Sequence, residues 1–315
     1  MSRGDRGRCA RRPAVSSPGY VEHSSRVEGL ITTVVLAGGR SRRFDLGDKL
    51  TYKLEGRTLI EHVVEIASKV SDHVIVAVDN IERAERYGKI LQCYNVTFAV
   101  DDSSKARTPM RGIIAGVKAS QGDRVIILPG DATYIKQETL RLLVEPLRYG
   151  FKAVSPVTPA GEVQILFQAV DGEEARRNAE LLERYGWLRA DGLLRLSESQ
   201  LYIAFEDYNQ FKTVNKPEDV ETRATGAPGK PYTRAVCVDR KISLTDLEPS
   251  LYWVERLVEY GEYFLAGVIA MQVRRETVSI GVDAFLREAA RYLDVGLSMM
   301  ARHALRDAAW LQRQA

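Results

Sequence analysis

Two adjacent glycines, Gly38 and Gly39, directly follow the β-branched run from Ile31 to Ala37, and a group of cations comes next: Arg40, Arg42, Arg43 and Lys49. A strand that runs into glycines can bring its backbone amides against a phosphate chain, because residues without a Cβ adopt conformations closed to others. Arg43 and Lys49 would add fixed positive charge at the same phosphates. Taken alone, a Gly-Gly pair reads more readily as a tight turn before a solvated basic loop. The segment is not a dinucleotide fingerprint, because no G-x-G-x-x-G is present, nor a Walker loop, because no G-K-[ST] follows. A second candidate is Asp131, which follows the apolar run Arg124 to Leu128 and Pro129-Gly130. A carboxylate at a strand's carboxyl end is a hard oxygen ligand suited to Mg²⁺, an ion that keeps several of its waters. On local sequence alone, Asp131 reads equally well as a turn residue.

These residues need elements to position them. From Leu30 onward, short apolar runs alternate with helical periodicity. Strands are expected at Ile31 to Ala37, His73 to Val78, Val96 to Val100, Arg124 to Leu128 and Lys152 to Val157. Helices are expected between them, around Leu59 to Val70, Ile81 to Leu91, Pro109 to Ala119 and Gln137 to Leu147. Repeated strand–helix alternation with right-handed crossovers gives an α/β fold with a doubly wound, mostly parallel sheet. Its ligands bind at the carboxyl ends of the strands, where the glycine pair and Asp131 lie. Further on, Val163 to Val170 reads as a strand, Glu173 to Tyr185 as a helix and Leu201 to Phe205 as a strand. The segment Thr225 to Pro231, TGAPGKP, reads as a linker. Beyond it the pattern is helical, with apolar residues three and four apart and expected breaks at Gly261, Gly281 and Gly296.

The stretch LAGGRSRRFDLGDKLTYKLEGRTLIEHV resembles the signature of nucleotidyltransferases of the molybdenum cofactor guanylyltransferase (MobA-like) type. The spacing from the double glycine to Arg43 and to Asp48-Lys49 agrees without gaps. Phe44 stands for the usual Met and Asp45 for the usual Gly; Leu50 and Gly56-Arg57 each fall one place early. Three further segments follow in order. Asp101-Asp102, with Gly112-Ile113-Ile114-Ala115-Gly116, is similar to the family's acidic nucleoside contact and G-P-L-A-G helix start. Gly130-Asp131-Ala132-Thr133-Tyr134-Ile135 is similar to its D-x-P-[FY]-[IL] metal motif, with Thr133 in place of Pro. Phe211 to Asp219, FKTVNKPED, is similar to F-x-N-[IV]-N-[TK]-P-E-[DE], with Thr213 where the first Asn is usual. The resemblance runs from about Leu30 to Glu221. It implies a Rossmann-like nucleotidyltransferase fold and nucleotide-binding positions at Leu36, Ala37, Gly38, Gly39, Arg43, Lys49, Asp102, Gly112 and Asp131. It further implies catalytic roles for Arg43, Lys49 and Asp131, and metal contacts from Asp131 and Asn215.

That reaction suits these residue types. A phosphate monoester attacks the α-phosphorus of a nucleoside triphosphate and expels pyrophosphate. The nucleophile is already anionic, so no strong general base is required, and the difficulty lies in gathering several negative charges in line. Directed cations and Mg²⁺ meet it. The implied activity is transfer of GMP from GTP onto a phosphate of molybdopterin or the molybdenum cofactor. The alternatives are an adenosylcobinamide-phosphate guanylyltransferase, a sugar-phosphate nucleotidyltransferase, or a non-catalytic nucleotide-binding or interaction protein.

The chain divides on this reading into a basic tail (1–29), a transferase domain (30–222), a linker (223–235) and a small all-α domain (236–315). The last resembles a tetratricopeptide-type hairpin and offers a surface for a protein partner, for self-association, or for covering a sheet face. Composition bounds the rest. The chain has 315 residues and a net charge of +3. Residues 1–29 hold six arginines against three acidic residues, which accounts for that whole excess and leaves the remainder with 39 basic and 39 acidic side chains. A nucleic-acid partner is therefore not expected. No apolar run approaches the ~20 residues that span a bilayer, and Cys9, Cys93 and Cys237 are too scattered for a disulfide framework or a metal knuckle. A cytoplasmic protein with no membrane partner is expected. Trp253 and Trp310 are expected in the core, Trp187 near the acceptor, and His62 in a structural role.

Overall fold

The computed structural model of the chain describes residues 29–39, 47–101, 108–205, 207–214, 233–240, 242–244, 247–273 and 276–314. The expected basic tail (except Gly29) and linker residues 223–232 lie outside these. The first half runs β1 (Ile31–Leu36), β2 (Lys53–Leu54), β3 (Arg57–Thr58), α1 (Leu59–Ser68), β4 (His73–Val78), α2 (Ile81–Ile90), β5 (Val96–Val100), α3 (Pro109–Ala119), β6 (Arg124–Pro129) and α4 (Gln137–Val144). Then come β7 (Ala153–Val157), β8 (Gln168–Asp171), α5 (Gly172–Arg184), α6 (Gly192–Leu196), β9 (Ser199–Ala204), β10 (Thr233–Cys237), α7 (Leu251–Glu259), α8 (Tyr263–Val273), α9 (Val278–Asp294) and α10 (Ser298–Gln312).

Eight strands form one sheet in the order β10-β9-β7-β8-β6-β1-β4-β5. The pairs β1–β4, β4–β5, β1–β6 and β7–β9 are parallel, whereas β8 runs antiparallel to β6 and β7, and β10 antiparallel to β9. The period-2 alternation of strand side chains separates two cores. Val35, Val76 and Leu128 face α1, α2 and α4. Val34, Ile75 and Ile127 face α3, α5 and α6. Local signals start the helices where expected: Thr58 and Glu61 form a reciprocal capping box on α1, and the Asn80 side chain accepts from the Arg83 amide at 2.8 Å to open α2.

The second half departs from the sequence reading in instructive ways. The expected strand from Val163 to Val170 is reduced to an isolated bridge between Val157 and Val163, and only Gln168–Asp171 pairs as β8. Gly161, at φ +82°, turns the chain back just before it. Strand β10 starts at Thr233, inside the stretch read as linker, and the expected boundary at 235/236 falls within it.

The four C-terminal helices share one continuous apolar cluster with α3, α5 and α6. Helix α8 buries Phe264 to Ala270 without interruption, as a helix apolar all round must. Gly281 breaks nothing. It lies in the first turns of α9, where a Cβ would come within 2.5 Å of Ala270 Cβ and 2.7 Å of Leu311 Cδ2. Gly261 and Gly296 do sit between helices, at φ +75° and +71°. Trp310 is 41% exposed rather than in the core. Trp187, expected near the acceptor, is buried edge-on against Phe264, with ring centroids 4.9 Å apart. His62 is structural, its Nε2 lying 2.8 Å from the Leu54 carbonyl. Among the described residues no helix is long and apolar enough to cross a membrane.

Candidate functional site

The chain passes from β1 outward to β4 and β5, then returns to place β6 on the other side of β1. That reversal opens a crevice at the carboxyl ends of β1 and β6, the place where open α/β sheets bind ligands. The two strands end in register, Leu36 opposite Pro129. The Ala37 amide donates to the Ala77 carbonyl at 2.7 Å and the Gly130 amide to the Leu36 carbonyl at 2.9 Å, so both connecting loops start from one fixed point. A Cβ on Gly130 would stand 2.8 Å from the Leu36 carbonyl oxygen, so glycine there lets the two loops crowd together, whereas one on Gly38 would make ordinary contact with Asp79 at 3.4 Å.

Asp131 and Lys49 meet in this crevice, 82 residues apart in sequence. The Lys49 ammonium pairs with the Asp131 carboxylate and also donates to the Val214 carbonyl at 3.1 Å. The Val214 amide in turn lies 3.4 Å from the Asp131 carbonyl. Asp131 is only 6% exposed. Burial pushes its carboxyl above the usual carboxylate range, against the opposing pull of Lys49. Among the described residues no cluster of three or more His, Cys, Asp or Glu side chains could hold a metal ion.

Asp48, one residue before Lys49, faces the other way. It accepts from the Tyr87 hydroxyl at 2.9 and 3.1 Å and from the Leu50 amide at 3.3 Å, and it lies 3.8 Å from Arg83 and 3.5 Å from Arg86. Arg83 also donates to the carbonyls of Gly39 at 3.1 Å and Ala37 at 3.5 Å, and to Asp79 at 2.9 Å.

Of the residues singled out from sequence, Leu36, Ala37, Gly38, Gly39, Lys49 and Asp131 lie together here. Gly112 lies in α3 over the end of β1, where a Cβ would make ordinary contact with the Leu36 side chain at 3.4 Å. Arg43, Asp102 and Asn215 lie outside the described residues. Sequence reasoning missed Arg83, Tyr87 and the Val214 carbonyl. The first two share a face of α2 one turn apart, which periodicity reveals, but only the sheet order brings that face to the glycine loop.

A family model described as the MobA-like NTP transferase domain matches residues 33–201. A probable molybdenum cofactor guanylyltransferase of Methanosarcina acetivorans is 25% identical over 211 residues, spanning 63% of this chain and 92% of that protein. One of Bacillus cereus is 29% identical over 192 residues, spanning 59% and 92%. Among solved structures, the molybdopterin-guanine dinucleotide biosynthesis protein A of Archaeoglobus fulgidus is 22% identical, with a TM-score of 0.48 over 60% of this chain and 95% of that one. With more than half of its residues inside the family match, this chain belongs to the MobA-like NTP transferase domain family and is a nucleotidyltransferase.

Proposed function

We propose that the chain transfers GMP from GTP onto a terminal phosphate of molybdopterin or the molybdenum cofactor. An acceptor phosphate oxygen bonds to the α-phosphorus, the bond from that phosphorus to the bridging oxygen breaks, and pyrophosphate leaves with the electron pair. The observation that carries this reading is the Lys49–Asp131 pair at the crevice between β1 and β6, beside the glycine loop. Lys49, with Arg43, stabilises charge on the triphosphate and the leaving pyrophosphate. The backbone amides of Ala37 to Gly39 receive phosphate oxygens, with Leu36 fixing where that loop begins. Gly112 lies in α3 against the Leu36 side chain, and Asp102 contacts the nucleoside.

The residues present fit a Mg²⁺ ion. Asp131 is a hard oxygen donor at the carboxyl end of β6, nearly buried beside the glycine loop, and one carboxylate with a neutral oxygen from Asn215 suits an ion that retains several waters. When bound, Mg²⁺ supplies charge neutralisation at the phosphate oxygens. The names of the Methanosarcina and Bacillus relatives support guanine as the base and molybdenum cofactor as the acceptor.

The test is to incubate the full chain with Mg²⁺, each of the four nucleoside triphosphates and molybdopterin, and to follow pyrophosphate. Release with GTP is expected. Release with CTP in preference would replace the base; release only with a sugar phosphate or adenosylcobinamide phosphate would replace the acceptor. No release with any combination would overturn turnover and leave a nucleotide-binding protein.

A further inference from the structure

The loop from Thr158 to Phe167 joins β7 to β8 and is held at both ends. Strand β7 runs parallel to β6, so this loop leaves the sheet at the same edge as the crevice, two strands or roughly 10 Å from β6. Its first half caps α10. That helix begins without a side-chain cap, and its first-turn amides need partners. The Met299 amide donates to the Gly161 carbonyl at 3.3 Å and the Ser298 hydroxyl to the Ala160 carbonyl at 3.1 Å; Arg302, one turn on, pairs with Glu162. Gly161 admits no side chain there, since its φ is +82° and a Cβ would stand 2.5 Å from the Gly296 carbonyl oxygen. The second half ends at Phe167, buried with its ring edge-on to Phe211, the centroids 5.3 Å apart. Phe211 comes three residues before Val214, whose carbonyl receives Lys49. One short loop thus reaches from α10 to the wall behind the Lys49–Asp131 pair.

The backbone from Ala37 to Gly39 leans toward β4, with the Ala37 amide on the Ala77 carbonyl and Gly38 against Asp79. A triphosphate held there leaves the β7 side of Asp131 for the second substrate. We propose that the loop from Thr158 to Phe167 is the acceptor-side wall of the crevice, and that Gly161 and Arg302 are positioning residues that set it for a phosphorylated acceptor. This rests on the transferase reading above. The C-terminal helices, beyond the family match that ends at residue 201, then act on acceptor affinity and not on nucleotide affinity. Holding the loop before the ligand arrives removes an ordering cost from binding, so the effect falls on affinity rather than on the chemical step.

The test compares the full chain with Arg302→Glu, the charge exchange Glu162→Arg/Arg302→Glu, and Gly161→Ala. In the unaltered chain, molybdopterin should slow amide hydrogen exchange in residues 158–167, and GTP alone should not. Arg302→Glu should quicken exchange in that loop about threefold to fivefold while β1, β4 and β6 keep theirs, and the charge exchange should restore it. Gly161→Ala should quicken it about tenfold. The KM for molybdopterin should rise by the same factors, with the KM for GTP and kcat within about twofold of the unaltered values. If Gly161→Ala does not fold, the charge reversal and its rescue carry the test. Loop exchange indifferent to molybdopterin would overturn the wall. Unchanged loop exchange in the variants would overturn the positioning role, as would KM values for both substrates that rise together, the mark of a merely structural effect. If the unaltered chain releases no pyrophosphate, the proposed function fails, and protection of the loop by molybdopterin still decides this one.

Discussion

Arg195 donates from Nε and from one Nη to the two carboxylate oxygens of Glu288, at 2.8 and 2.6 Å, and so joins α6 to α9. Its other Nη reaches Asp307 of α10 at 2.6 Å and Asp191 at 3.3 Å, and the guanidinium lies 4.3 Å from the centre of the Phe264 ring. The side chain is wholly buried. Buried charge is tolerable only when geometry and hydrogen bonds compensate for lost hydration, and a guanidinium fork among three carboxylates meets that condition. Asp191 also receives Arg189 at 2.6 Å and His303 at 2.8 Å.

Removing the hub should therefore be severe. Arg195→Ala leaves Asp191, Glu288 and Asp307 facing one another in the interior, a loss of about 3–5 kcal/mol by urea unfolding. The exposed pair Arg287–Asp283 is the control, and Arg287→Ala should change stability by about 0.5 kcal/mol or less. Equal effects from the two substitutions would count against the hub.

Asp191 gives the cluster a pH dependence. Burial opposes its ionisation, but Arg195, His303 and Arg189 outweigh burial and hold its carboxyl far below the usual range. The unfolded chain then binds more protons than the native one at acid pH, so this contribution is complete above the unfolded pKa of ~3.9 and is lost as pH falls through lower values. Glu288 is shifted upward by burial, against the pull of Arg195, and so slopes the other way. The clean comparison is Asp191→Asn: the unaltered chain should lose about 2 kcal/mol more than the variant between pH 5 and pH 2. Parallel stability curves would remove Asp191 as the source.

Two glycines of the helical layer make a packing prediction. A Cβ at Gly267 would approach the Phe285 ring to 2.4 Å, and one at Gly281 would meet Ala270 and Leu311. Alanine raises helix propensity by roughly 1 kcal/mol over glycine, yet overpacking here should win. Each Gly→Ala change should destabilise by about 1–3 kcal/mol in thermal unfolding. A higher Tm would mean that the helices can separate without loss.

At the crevice, Asp131→Ala should lower pyrophosphate release by a factor of about 10² or more while circular dichroism stays unchanged. Lys49→Ala should do the same and, by removing the nearby positive charge, push the buried Asp131 carboxyl further upward. Retained turnover in Asp131→Ala would remove it from the metal role.

The order of strands and helices was readable because runs such as Ile31 to Ala37 and His73 to Val78 are β-branched and buried on both faces. Short or edge elements were not: β8 has four residues, and β10 alternates weakly after a run of glycine and proline. Gly281 misled because a glycine at a close helix contact looks the same in sequence as one at a break. The site was legible where motif order carried it, at Gly38, Lys49 and Asp131. Arg83 and Tyr87 belong to no motif, and the Arg195 cluster joins side chains about a hundred residues apart. No local pattern encodes such pairings; they appear only once the sheet is assembled.

The family match ends at residue 201, with Asp191 and Arg195 inside it and Glu288 and Asp307 beyond it. The C-terminal helices are thus tied to the matched stretch through one buried ion-pair network. Substitutions at 195, 288 and 307 should be non-additive in stability, since they share one buried network. A graft of these helices onto a relative lacking the arginine would carry stranded acids into its interior.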